Sequence, residues 1–484
     1  MKILFVASEA APFAKTGGLG DVISALPRAL AARGHEVLVV LPKYGSIDAQ
    51  KFGLRDTGRR VEVAIGGANA SATVFVTAPA ERLRYLFLGN PWYERRELYG
   101  EGGHDYRDNH KRFALLAGGA LEAAKQLGFQ PDVVHAHDWQ AALAPLILKR
   151  GWAGRPAPFK ARSLFTIHNL AYQGLFPREI MQELLLPADL FNPDALEFYG
   201  KVSLIKAGLV FGDKLTTVSP TYAREILASP ETGAGLEGLL QHRKADLTGI
   251  LNGADYALWN PEIDAALPAK FSASDLSGKA ICKAALQKEL GLEESPRAPL
   301  AAAIGRLAHQ KGYDLLAAAV PGLIERGAQF ALLGTGDNQL EQAFEELAHR
   351  YPGKVSLSLR FDEGLAHRIE GGADLFLMPS RFEPCGLNQL YSLRYGTLPV
   401  VRAVGGLNDS IREAELATPA RPAQGWGFRF DEESAEALLG AVERAIALYA
   451  DPAAWAATQA RAMALDYSWN RAASEYEALY GELK

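Results

Sequence analysis

Short apolar runs that break into glycine-rich polar turns, and then into residues at helical spacing, recur along this chain. Residues 3–7 form such a run. Lys15-Thr-Gly-Gly-Leu-Gly-Asp21 follows, and then Val22, Leu26 and Leu30 at helical spacing, with Gly34 placed as a helix stop. A second run, 36–41, closes at Pro42. Strand, helix and strand in that order predict a parallel sheet with a right-handed crossover. Further strands are predicted at 74–76, 85–88, 133–136, 164–167 and 214–218.

The order restarts after Asn252. Residues 256–270, rich in Pro and Ala, read as a connector. Residues 301–304 then form a first strand, 313–326 a helix ended by Gly327, and 330–333 a strand closed by the turn Gly334-Thr-Gly-Asp337. Runs at 355–359, 375–378 and 398–401 complete a second sheet. A chain of 484 residues also exceeds one ordinary core. The predicted fold is therefore α/β, with two doubly wound Rossmann-like domains facing across a deep cleft. No short-period repeat is visible.

Composition narrows the class. Hydrophobic residues make up 48% and charged residues 22%, the mix of an ordered soluble domain. A net charge of -5 argues against a nucleic-acid partner, which asks for a basic surface. Two distant cysteines, Cys282 and Cys385, make neither a disulfide framework nor a zinc site of the usual spacing, so a reducing cytoplasm is expected. No apolar run is long enough to span a membrane, and no membrane partner is expected. The sequence sets no oligomeric state.

In doubly wound sheets ligands sit beyond the C-terminal ends of strands. Four chemistry-bearing turns follow predicted strands. In the first, Gly17, Gly18 and Gly20 let a ligand approach the backbone, and the helix-opening amides suit an anion. A Walker loop is excluded because Lys15 precedes its glycines. A dinucleotide fingerprint fails as well: the third glycine is missing, and Leu41-Pro-Lys43 stands where an acidic residue belongs.

The second turn is Gly305-Arg-Leu-Ala-His-Gln-Lys-Gly312. Arg306 offers a planar fork and Lys311 a compact charge to phosphate oxygens. Helix dipoles disfavour cations at a helix start, so an anion is expected there. Two cations at a leaving diphosphate lower the barrier without a metal.

The third is Pro379-Ser-Arg-Phe-Glu-Pro-Cys-Gly-Leu-Asn388. Pro384 biases Glu383 toward an extended conformation, where its carboxylate can accept from sugar or ribose hydroxyls. The amides of Gly386 and Leu387 can meet a hydroxyl or a phosphate. Cys385 has no local His partner and reads as a wall residue, not a nucleophile.

The fourth is Thr166-Ile-His-Asn-Leu-Ala-Tyr-Gln-Gly174, where His168 and Asn169 leave a strand as a polar pocket wall. Before it lies His135-Ala-His-Asp-Trp139. His135 and His137 share a strand face, but no third metal ligand is evident, and Asp138 is preferred as a sugar-hydroxyl acceptor. The loop 90–110 carries Trp92, Tyr93, Tyr99 and Tyr106, either as a stacking groove for sugar rings or as aromatic anchors of a solvated loop. Asn252-Gly-Ala-Asp255 marks the domain boundary, and Gly405-Gly-Leu-Asn-Asp409 is a further strand–helix turn.

Together these stretches resemble the bacterial glycogen synthase and plant starch synthase family, in the family's order and across nearly the whole chain. The resemblance implies the GT-B fold. Residues 1–255 would be the acceptor domain, 256–467 the donor domain, and 468–484 a final helix packing back on the first. It implies a retaining transfer of glucose from ADP-glucose to the non-reducing-end 4-hydroxyl of an α-1,4-glucan, with no cofactor and no metal. By position, Lys15, His168, Arg306, Lys311 and Glu383 match catalytic positions. Asp21, Tyr93, Asp138, Asn169 and Asn252 fall at substrate-contacting ones. Phe361 stands where a Tyr stacking on adenine is expected, and Asn388 where Thr is expected. Alternatives are a related retaining glycosyltransferase with another donor, another enzyme on this fold such as an epimerase or a sucrose-type synthase, and a non-catalytic sugar-nucleotide or glucan-binding protein.

Overall fold

The computed structural model describes residues 1–417 and 422–483. The chain divides into two compact units, Met1–Ile250 with Trp469–Lys484, and Leu251–Ser468. Residues 251–255, expected in the first domain, therefore belong to the second unit, and so does Ser468, expected with the final helix. Lys484, part of the expected final segment, lies outside the described residues.

The first unit is built on one nine-stranded sheet. Its strands are β1 (Lys2–Val6), β2 (Glu36–Pro42), β3 (Arg55–Ile65), β4 (Ala68–Ala80), β5 (Leu83–Gly89), β6 (Val133–His137), β7 (Arg162–Ile167), β8 (Lys214–Thr217) and β9 (Leu247–Gly249). They lie in the order β9-β8-β7-β6-β1-β2-β5-β4-β3. All pairings from β9 to β5 are parallel; β4 and β3 are antiparallel. Ile3, Leu4, Phe5 and Val6 of β1 are wholly buried, as a parallel strand covered by helices on both faces requires. The strand order reverses between β1 and β6, so the turns leaving those strands flank the switch point.

The hairpin β3–β4 shows where local pattern was weak. Only 74–76 read as strand, yet β4 spans thirteen residues. β3 opens on Arg-Asp-Thr-Gly-Arg-Arg, mostly exposed, and alternation begins only at the buried Val61, Val63 and Ile65. The closing helix, Trp469–Glu482, packs within this unit. Its Tyr480 hydroxyl meets His135 Nδ1 at 2.8 Å, and Glu477 accepts from Arg33 Nε at 2.9 Å and contacts His35 Nε2 at 3.0 Å.

The second unit carries six parallel strands: β10 (Leu300–Ile304), β11 (Gln329–Leu333), β12 (Val355–Ser358), β13 (Leu375–Met378), β14 (Leu398–Arg402) and β15 (Phe428–Phe430). Their order is β12-β11-β10-β13-β14-β15. The chain winds outward from β10, then returns to lay β13 on its other side, so the switch point falls between β10 and β13. Leu300, Ala302, Ala331 and Leu333 bury one face of the sheet against Leu365 and Ile369. The connector docks through Trp259, stacked on His367 at 3.8 Å and on Tyr391 at 4.2 Å. Among the described residues, no helix is long and apolar enough to cross a membrane.

Candidate active site

At the switch point of the second unit, the turns leaving β10, β13 and β14 pack backbone against backbone. Gly312 and Gly405 make this possible. Each has a left-handed φ, 69° and 44°. A Cβ on Gly312 would stand 2.0 Å from the Pro379 carbonyl oxygen, and one on Gly405 1.9 Å from that of Glu383. No side chain fits either place. The Arg381 amide donates to the Gln310 carbonyl at 2.8 Å, and Gly406 N donates to the Glu383 carbonyl at 3.1 Å. Asn388, standing where the resemblance leads one to expect Thr, donates its side-chain amide to the Ile304 carbonyl at 2.9 Å.

This packing brings together residues 72 apart in sequence. Lys311 Nζ donates to Glu383 Oε2 at 2.5 Å, and Ser380 Oγ donates to the same oxygen at 3.1 Å. The Glu383 carboxylate is nearly sealed, whereas the Lys311 side chain is 31% exposed. Its ammonium is therefore fixed in place and still open to solvent on one side. Arg306 is exposed and, among the described residues, has no hydrogen-bond or ion-pair partner. Both cations belong to the turn that leaves β10, and such groups suit the oxygens of a polyanion.

Cys385 is buried, and burial pushes its thiol up to about 12. A thiol so protonated at neutral pH is no nucleophile, in keeping with its reading as a wall. Asn252 hydrogen-bonds this thiol and is itself buried, with Oδ1 left without a partner. Gly386 sits at φ 71°, leading into Leu387 and the helix Asn388–Arg394. Phe361 lies past the end of β12 and is 87% exposed.

In the first unit the turns after β1, β6 and β7 hold the remaining residues. Lys15 pairs with Asp21 at 2.7 Å, both open to solvent. Gly18 opens the following helix, Gly18–Ala32. Glu9, which the sequence reading does not single out, organises this loop. Its buried carboxylate accepts from Thr16 N at 2.6 Å, Thr16 Oγ1 at 2.7 Å, Gly17 N at 3.3 Å and the Tyr99 hydroxyl at 2.5 Å. Its position just past β1 was the available signal, since the same strand-end rule singled out Lys15.

Asp138 follows β6 at φ 55°, left-handed backbone that a non-glycine residue holds only under constraint. Its carboxylate accepts from His168 N at 2.7 Å and from the Asn169 amide, and burial pushes it up to about 7. It is thus engaged with the turn after β7 and not free in solvent. Burial holds the His168 imidazole down to about 3, and its Nε2 lies 3.0 Å from His137 Nδ1. Asn169 Oδ1 accepts from Ala171 N at 3.0 Å. Both ring nitrogens of His135 are occupied, by Tyr480 and by Thr166 Oγ1 at 2.6 Å.

One expected substrate contact is corrected. Tyr93 is wholly buried, and its hydroxyl donates to the Arg112 carbonyl at 2.6 Å. The aromatic loop 90–110 turns inward around Arg112, itself fully buried and donating to the carbonyls of Trp92 and Leu98. Of the two readings of this loop, aromatic anchoring is the one the structure supports. A buried guanidinium needs carbonyl partners, and those partners pull the aromatic segment into the core.

Comparison with known proteins agrees with this architecture. Residues 2–242 match the starch synthase catalytic domain family, and residues 288–461 match glycosyl transferases group 1. The chain is 54% identical over 483 residues to a glycogen synthase of Anaeromyxobacter sp. (strain Fw109-5), covering 100% of this chain and 99% of the relative. It is 53% identical over the same length to a glycogen synthase of Anaeromyxobacter dehalogenans (strain 2CP-1 / ATCC BAA-258), with the same coverage. Among solved structures, the catalytic domain of starch synthase IV from Arabidopsis thaliana, bound to ADP and acarbose, is similar at a TM-score of 0.91 and 36% identity, covering 100% of this chain and 99% of that one. Similarity of this extent, with two doubly wound sheets and their glycine-tight turns in place, shows that the chain belongs to the glycogen synthase and starch synthase family of GT-B glycosyltransferases.

Proposed function

We propose that this enzyme transfers glucose, with retention, from ADP-glucose to the non-reducing-end 4-hydroxyl of an α-1,4-glucan and releases ADP. The observation that carries this reading is the cationic pair at the β10 switch point: Lys311 held by Glu383, and Arg306 left without a protein partner. Both charges would lie on the diphosphate, which becomes more negative as the bond to the sugar breaks. Two fixed cations stabilise that leaving group directly, so the step needs no metal. Glu383 orients the ammonium and offers its remaining oxygen to a sugar hydroxyl. The Gly386 and Leu387 amides face the same ligand, Asn252 supports the wall at Cys385, and the exposed Phe361 ring stacks on the base. The first unit is assigned the acceptor, with Lys15, Gly18, Asp21, His168 and Asn169 as its contacts.

Retention requires either two displacements through a carboxylate or attack on the leaving group's own face. Asp138, the carboxylate candidate for the first route, is engaged with the amides of His168 and Asn169. The second route, with the departing phosphate as base, is therefore the mechanism adopted. Trapping a glucosyl adduct on a carboxylate would overturn it. Two buried, unpaired cysteines agree with a cytoplasmic location.

The test is transfer of radiolabelled glucose from ADP-glucose and from UDP-glucose, each with and without glycogen and with EDTA present. Label entering glycogen from ADP-glucose alone, in EDTA, is expected. Tight donor binding without transfer would make the chain a binding protein, and transfer from UDP-glucose alone would reassign the donor.

A further inference from the structure

His168 meets a second histidine that the proposed chemistry does not use. His137 ends β6, is wholly buried, and is fixed on both faces. Its ring stacks on Phe5 at 5.5 Å between centroids and lies 4.0 Å from His135. Its Nδ1 stands 3.0 Å from His168 Nε2, a hydrogen bond in which one ring must donate and the other accept. Burial keeps both imidazoles neutral, His168 down at about 3 and His137 well below its usual range. Each ring therefore carries a single proton.

The remaining nitrogen of His137 decides the direction. His137 Nε2 is buried and has no partner. If His168 donated, His137 would carry its proton on Nε2, as an orphaned N–H in the core. Buried N–H groups without partners are rarer than unfilled acceptors. If His137 donates from Nδ1, the orphan is only a lone pair, and His168 holds its proton on Nδ1. No neighbour competes for the bond. Both nitrogens of His135 are taken, and Asp138 accepts the His168 backbone amide. His168 Nδ1 has no partner among the described residues.

We propose that His137 is a positioning residue that fixes the tautomer of His168, so that the His168 ring presents an N–H from Nδ1 to a substrate oxygen. This rests on the reading of His168 as substrate-facing. The two nitrogens of an imidazole differ in role, and the bond made by one sets the proton on the other. Free rotation or the opposite tautomer would offer the substrate a lone pair where a donor is needed.

The experiment uses the full chain labelled with ring-15N histidine. Two-bond proton–nitrogen spectra separate protonated from bare ring nitrogens. Among the ten histidines, the signals of His137 and His168 are identified by their loss in His137→Asn and His168→Ala. Wild-type His168 is expected with a protonated Nδ1 and a bare Nε2. His137→Leu should shift that proton toward Nε2. It should also lower kcat about 10–100-fold, the size of loss seen when the partner that orients a metal-ligating histidine is removed. The donor KM should stay within about threefold. His137→Asn, whose amide reaches the place of Nδ1–H, should recover most of the rate.

A bare Nδ1 on wild-type His168 overturns the proposal, as does equal loss in the Leu and Asn variants. Should the Leu variant not fold, the wild-type tautomer and the Asn variant still decide. Full activity in His168→Ala would instead remove His168 from the chemistry and leave the measured tautomer standing, so the two failures are distinguishable.

Discussion

Replacing Glu9 by Gln should loosen the lysine loop by a calculable amount. Glu9 is 4% exposed, so solvent cannot take over its role. Its Oε2 receives two backbone amides, Thr16 at 2.6 Å and Gly17 at 3.3 Å; its Oε1 receives two hydroxyls, from Thr16 and Tyr99. In Gln one oxygen becomes an NH2 group. The hydroxyls can turn and accept from it, but the amides can only donate, so the carbonyl oxygen must stay with them. Each amide then trades a charged acceptor for a neutral one, a loss of about 1 kcal/mol at good geometry. The Thr16 bond carries that in full. The Gly17 bond, longer and weaker, carries about half of it. The sum, about 1.5 kcal/mol, is roughly a tenfold loss of hydrogen-exchange protection at Thr16 and Gly17. Glu9→Ala leaves both amides unpaired, while the Tyr99 hydroxyl keeps only Ser8, and should abolish protection there. Native-state exchange at these amides, with residues of β2 as an internal control, is the assay. Unchanged protection in Glu9→Gln would refute the view that this carboxylate holds the loop. Transfer activity should fall in the same order, Ala below Gln below wild type.

Three further outcomes are expected. Arg306→Ala should lower kcat about 10²–10³-fold, the size of losing one electrostatic contact to developing charge. Its melting temperature should not change, because the side chain is exposed and unpaired; near-normal turnover would remove it from the site. Cys385 should resist iodoacetamide in the native protein at pH 8, with its thiol near 12, and Cys385→Ala should keep transfer activity; rapid native labelling would contradict the burial argument. The raised Asp138 carboxyl gives a pH signature. Folded, it titrates at about 7 against an ordinary value of 3.8, so the folded state binds the extra proton between those values. Its contribution to stability is whole below about pH 4 and is lost as pH rises through about 7. Asp138→Asn should flatten the fall of melting temperature across that window, and an identical slope in both proteins would show that another group titrates there.

Much of this molecule is legible from order alone. A wholly apolar run such as 3–6 or 375–378, too short for a helix and alternating with helical periods, reads as a strand covered on both faces, and a glycine-rich turn after it then lies at the C-terminal edge of a parallel sheet. That rule places Lys15, His168, Arg306 and Glu383 at strand ends from sequence alone. It failed where the pattern was diluted. β3 begins with six polar or glycine residues and alternates only near its end. β9 and β15 are three residues long, too short to carry a period. Tyr93 misled for a different reason. An aromatic side chain in a polar loop reads the same whether it faces a sugar or the core. The deciding residue, Arg112, lies nineteen positions on, and its need for carbonyl partners cannot be seen locally.

Sequence by itself determined the parallel cores of the two main sheets and which turns carry charge, because these follow from short-range periodicity and from where glycine and proline fall. Tertiary structure alone decided which of those groups meet. Lys311 reaches Glu383 across 72 residues, and His137 reaches His168 across 31. Asn252 joins Cys385, and Glu9 gathers donors from Thr16, Gly17 and Tyr99. Such pairings depend on strand order and on sub-ångström packing of turns, and a linear pattern contains neither. A carboxylate's partner is chosen by what burial leaves without water, and only the folded chain shows which groups those are.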